Sequence, residues 1–436
     1  MDAVVAKRLI ESETLALLAR LGQIKPFSLH LPMVMAAAPT IQAWASIEDY
    51  LATGRRDLRH AVHAFRAWLR GAGRTEPPHE QQRRLAFLRM KVLAGLTEFD
   101  LFADALTQRS QHGVGEWLGG LDVAAIDALD LPSRPYESPP VVCYLERGHG
   151  AAIRRARTRL PGGGENPVAI IQIPRERMLG SGIASSLVHE VGHQAAALLD
   201  LVGPLRTLVG QRAEQAGEHA PAWRCLERWI SEIIADFWSV ARIGIGSTLG
   251  LMGVVTLPRI FVFRSNDDAP HPTPWVRVKI SAAIGDRLYP DPQWKRLTRT
   301  WEMLYPLSGL KADQLKLFAS IERTLPEFVD LICGHRPAHL KGATLLSAIP
   351  REDRLPNILR AGAEGWIEKP EKLSETRPTV AFAAIGQAKA DGRIGGDDES
   401  RIIGRLLRYW AHRSAVDTAA MCAQARRQRQ AVALAT

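Results

Sequence analysis

Cysteine is scarce: the 436 residues hold four, Cys143, Cys225, Cys333 and Cys422, far apart and without a CxxC pair. This argues against a disulfide framework and a thiolate metal knuckle, and it fits a reducing compartment. Long apolar runs are missing too. The longest of interest lies between Arg242 and Arg259, about 16 residues with four glycines, short of the ~17–25 that cross a bilayer. It reads as a buried helix or helix pair, and membrane contact is not favoured. No secretory leader is evident, because Lys7, Arg8, Glu11 and Glu13 break up the first turns into an amphipathic helix. The expected location is therefore cytoplasmic. The glycine-rich stretch before Glu165 is not followed by GK[ST], so it is a turn and not a phosphate loop.

Hydrophobic residues make up 46% of the chain, enough for sizeable cores in two or three domains, or in one domain with large helical additions. The net charge of +10 comes partly from arginine clusters at Arg154, Arg155, Arg157 and Arg159 and at Arg426, Arg427 and Arg429. Neither cluster sits in a nucleic-acid-binding motif, so both are read as solvated faces and no nucleic-acid partner is expected. Residues 1–130 read as a helical N-terminal domain, with Leu58, Ala61, Val62, Phe65, Trp68 and Leu69 at helical spacing. Prolines then lead into a strand at Val141 to Leu145, and a second strand candidate runs from Asn166 to Ile173. Residues 131–290 form the expected central domain, and 291–436 a helical C-terminal region. The fold class is mainly α with a small β-sheet. On the second strand Val168, Ile170 and Gln172 are taken to offer an open edge to an extended peptide.

The centre of the reading is His189-Glu190-Val191-Gly192-His193, inside a helix expected from about Gly182 to Leu201 with Ser181 as its cap. Two imidazoles four residues apart share one helix face and can hold a single zinc ion, with Glu190 offset toward a water. The third ligand decides the class. Gly and His at 196 and 199 would mark one group of such enzymes, but Ala196 and Leu199 stand there, and Asp200 is a residue too late. A later helix instead carries Glu232-Ile233-Ile234-Ala235-Asp236 in an apolar run. One turn separates its carboxylates, so Glu232 can bind the metal while Asp236 accepts the second N–H of His189 or His193.

HEVGH, EIIAD and then His271-Pro272-Thr273-Pro274-Trp275-Val276-Arg277 together resemble the HExxH, ExxAD and HPxxxxR motifs of the Ste24/HtpX-like gluzincin peptidases. The resemblance covers about Val188 to Ile280. It implies a zincin-like core, one zinc per chain on His189, His193 and Glu232, Glu190 as general base and Asp236 behind the ligands. It also places His271 and Arg277 at the border of the site, as donors to a developing oxyanion, with Tyr289 a weaker candidate. The implied activity is a metalloendopeptidase acting on protein or peptide substrates through a metal-activated water. The alternative is an inactive zincin-like scaffold whose helical flanks bind a protein partner. Toward the C-terminus, Ala390-Asp391-Gly392 followed by Asp397-Asp398-Glu399 faintly resembles TerB-like helical domains.

Overall fold

The computed structural model describes residues 2–111, 113–148, 150–161, 163–175, 180–264 and 269–435. It is mainly helical with a small three-stranded sheet, the expected class. Four helices come first: α1 (Asp2–Gln23), α2 (Ile41–Arg70), α3 (Pro78–Thr107) and α4 (Val114–Leu129). The strands β1 (Val141–Glu146), β2 (Ala152–Arg154) and β3 (Ala169–Pro174) follow. Then come α5 (Ser181–Leu198), α6 (Val202–Gln215), α7 (Ala220–Ile243), α8 (Ile245–Val255), α9 (Arg259–Val262) and α10 (Pro274–Leu288). The chain ends with α11 (Gln293–Leu304), α12 (Ala312–Gly334), α13 (Leu345–Ala348), α14 (Pro356–Glu368), α15 (Pro378–Ala390) and α16 (Gly396–Ala435).

The sheet order is β1-β3-β2. β3 runs parallel to β1, with Cys143 opposite Ile171, and antiparallel to β2, with Ile153 opposite Ile171. β3 is therefore the central strand, and the open edge expected at Val168, Ile170 and Gln172 is not there. Its β-branched run reflects burial on both faces. Val168 and Ile170 turn toward a smaller core built by α1, α2 and α3, while Ala169, Ile171 and Ile173 turn toward a larger one. β2 has three residues and no apolar alternation of its own, so nothing in its sequence announced it.

In the smaller core Leu58, Val62 and Phe65 of α2 are buried, as their helical spacing required. α4, grouped by sequence with the N-terminal helices, is instead buried in the larger core, which runs through α16. Asp122 fixes α4 to the sheet: its carboxylate takes two hydrogen bonds from Arg109, at 2.7 and 3.0 Å, and one from the Cys143 amide at 2.7 Å. Both charged groups are buried, and the fork geometry plus the extra amide offsets part of their desolvation. The apolar run after Arg242 forms α8, whose Ile245, Gly246, Ser247 and Thr248 are buried and which packs against α5 where Gly250 meets Ser181 and Ser185. Among the described residues no helix is long and apolar enough to cross a membrane.

Candidate metal centre

Two helices bring the motif residues together. α5 carries His189, Glu190 and His193 and ends at Leu198, because Asp200 has turned into the left-handed region at φ 49°. α7 opens with Pro221 in its first turn and carries Glu232 and Asp236. The two can pack closely because Gly192 and Ala235 face each other. A Cβ at position 192 would stand 2.8 Å from Ala235 Cα and 2.9 Å from its carbonyl oxygen, both backbone atoms that cannot rotate away. Gly192→Ala is therefore expected to push α7 off α5 and to cost about 1–3 kcal/mol. Zinc content after dialysis and urea unfolding of the variant check this, and wild-type values for both would refute it.

The N-terminus of α5 is held in a way that differs from the expected Ser181 cap. Gly180, at φ +67°, occupies the cap position and offers no side chain. The Ser181 amide instead donates to Glu399 Oε1 at 2.8 Å, from the first turn of α16. Glu399 is buried and is paired with Lys389 at 2.7 Å, while Lys389 also reaches Ser181 Oγ at 3.2 Å. Glycine is favoured here by φ, and a side chain at 180 would displace the Glu399 carboxylate, whose Oε2 it would meet at 2.7 Å.

At the centre, Glu232 Oε2 lies 3.4 Å from His189 Nε2, and Glu232 Oε1 lies 3.4 Å from His193 Nε2. One ligand atom from each of the three residues lies within 4.8 Å of the others, a set that can hold a metal ion. A tetrahedron with bonds of ~2.0–2.1 Å has edges of roughly 3.3–3.4 Å; each imidazole lies at about that distance from one Glu232 oxygen, His189 from Oε2 and His193 from Oε1. Behind it His189 Nδ1 sits 2.8 Å from Asp236 Oδ1, which orients the ring so that Nε2 faces Glu232. Arg277, in the first turn of α10, donates to both oxygens of Asp236, from Nε at 2.7 Å and Nη2 at 2.9 Å. His271 Nε2 lies 3.3 Å from Glu232 Oε2, with its side chain 59% exposed.

These neighbours set the ionisation of the cluster. Burial opposes a charge on His189, but the charge and hydrogen bond of Asp236 and the hydrogen bond with Glu232 outweigh it and raise its pKa to about 9. His193 moves the other way, pushed down to about 4 by burial and by the neighbouring His189 charge. Burial also opposes ionisation of Glu232, yet the His189 hydrogen bond and the charges of His189, Arg277 and His193 hold it at about 2. Asp236 stays well below the usual carboxylate range despite burial, through Arg277 and then His189. The chain thus presents ionised carboxylates with one neutral and one protonated imidazole. A dication held by this set would have to displace the His189 proton.

The cluster floors a cleft of about 510 Å³. His189, Glu190, His193, Glu232, Asp236, His271 and Arg277 all line it, so the sequence-designated residues of both motifs and of the HPxxxxR segment converge. Val168, Ile170 and Gln172 do not border it, since β3 is covered on both sides. Their place is taken by β2 and its flanks, with Ile153 and Arg155 on the wall. Arg277 is committed to Asp236 and does not act as a loose donor in the cleft. Tyr289 points elsewhere: it is buried and donates to the Ala241 carbonyl at 2.6 Å. The sequence reading missed β2 and Glu399. For Glu399 a signal existed, the acidic first turn Asp397-Asp398-Glu399, but nothing in it named Ser181 as the partner.

Comparison with protein-family models, with curated proteins and with solved structures gives no match for this chain.

Proposed function

We propose that the chain is a zinc-dependent metalloendopeptidase with a zincin-like core, of the gluzincin type its motifs resemble. The observation that carries this reading is the meeting of His189, His193 and Glu232 beside Glu190 in an open cleft. A purely structural zinc site would be closed by a fourth protein ligand and has no use for a neighbouring carboxylate. Here the described cluster has three ligands, with Glu190 on the cleft lining. Held by these three residues, zinc would act as a Lewis acid and lower the pKa of a water toward ~7.

The chain's own groups do the rest. Glu190 accepts a proton from the attacking water and returns it to the departing amine nitrogen. His271, largely exposed at the rim, donates toward the carbonyl oxygen as negative charge grows on it. Arg277 works one step back, fixing Asp236 and through it the His189 ring. The peptide lies along the free edge of β2, adding a strand by main-chain hydrogen bonds.

Metal removal tests the proposal. Dialysis against a chelator is expected to abolish cleavage of an unfolded protein such as casein, and zinc is expected to restore it. Cleavage that persists in the metal-free protein would rule out this function.

A further inference from the structure

The outer strand and its flanks give the cleft one wall of mixed chemistry. Gly150, Ala151, Ala152 and Ile153 border it in succession, and Arg155 borders it beyond Arg154, which does not. Ile153 of β2 and Arg155, the residue just past its end, border the same space two positions apart. The facing wall adds Leu251 and Val254 of α8.

Charge separates these positions. Arg155 is exposed, and among the described residues no carboxylate pairs with its guanidinium. Its neighbour Arg157 lies 3.7 Å from Glu137, and Arg277 is bound to Asp236. Of the two arginines among the described residues lining the cleft, Arg277 is held by Asp236 and Arg155 pairs with no described carboxylate.

We infer that the cleft selects peptides with an acidic side chain opposite Arg155 and an apolar one two residues away, opposite Ile153. This rests on the peptidase reading and on strand pairing with β2. Opposite charges directly across a strand pair favour binding by up to about fivefold over alanine, and like charges oppose it by a similar factor. The discrimination between glutamate and lysine at that position is correspondingly larger.

The test uses zinc-loaded protein and fluorescent peptides that differ only in carrying Glu, Ala or Lys at one position, two residues from a leucine. Wild-type turnover gives kcat/KM, and anisotropy with Glu190→Gln gives binding without cleavage. Each is repeated in the Arg155→Glu and Arg155→Ala backgrounds. Expected is a preference for Glu over Lys of up to about twentyfold, lost in Arg155→Ala and reversed in Arg155→Glu. Charge-selective binding that reverses in Arg155→Glu, with no turnover in the wild type, upholds this inference and overturns the peptidase proposal. Turnover indifferent to peptide charge, or a preference that survives Arg155→Glu, overturns the inference and leaves the peptidase proposal standing.

Discussion

Replacing Glu190 by glutamine is expected to leave bound zinc unchanged and to lower peptide hydrolysis by about 10²–10⁴-fold. The reason is positional. His189 and His193 stand on one face of α5, and the residue after the first histidine is rotated by about 100°, which carries it off the ligand face. Glu190 is accordingly buried at 6% exposure yet on the cleft lining, beside the three ligands and not among them. Glutamine matches its size but cannot take a proton. Glu190→Asp keeps the charge and retracts it by one methylene, so a partial loss is expected, on the order of 10²-fold, the usual effect of a 1 Å misplacement. Metal analysis and kcat/KM on the same preparations check both variants. Glu190→Gln turning over like the wild type would remove the proposed mechanism.

Asp236→Ala is expected to weaken zinc binding by about 10–100-fold although Asp236 is not a ligand. Two contacts disappear at once. The His189 ring loses the acceptor that sets its orientation, and Arg277 loses both hydrogen bonds to Asp236, keeping Glu232 Oε2 at 3.6 Å as its carboxylate partner. Breaking a buried pair outright costs about 3–5 kcal/mol, and with Glu232 still near Arg277 the metal-free variant should lose less than that but still unfold at lower urea. Asp236→Asn keeps an acceptor for the His189 N–H and should fall at the mild end of both ranges. Competition titration with a zinc chelator reads the affinity. An Asp236→Ala protein that binds zinc like the wild type would show that the ring needs no such support.

Much of the candidate site was legible because it is written in helical spacing. The interval from His189 to His193 and from Glu232 to Asp236 is one turn in each case, and an acidic pair inside an apolar helix demands a partner. Gly192 opposite Ala235 completes that logic at the level of packing, though only coordinates reveal which small residues touch. Strand pairing is different. β3 could be recognised from its β-branched residues, but a run buried on both faces does not tell whether it is an edge or a centre, and the edge assigned to Val168, Ile170 and Gln172 proved to be the centre. What covers it is β2, three residues held at one end by the Ala156 amide donating to Gln194 of α5 at 2.9 Å. So short an element is created by its neighbours, not by its own propensity. Glu399 was unreadable for a related reason: a carboxylate two hundred residues downstream carries no mark of the amide it serves.

That long reach from Glu399 to Ser181 gives the protein a timetable. The two residues are 218 positions apart, and a ribosome adding ~5–20 residues per second needs roughly 10–45 s to bridge that interval. Until then the leading end of the helix that carries His189 and His193 lacks its acceptor and its lysine strut, so a nascent or prematurely terminated chain stays short of its finished shape. The helix that carries His189, Glu190 and His193 therefore gains its N-terminal anchor only after Glu399 has been made.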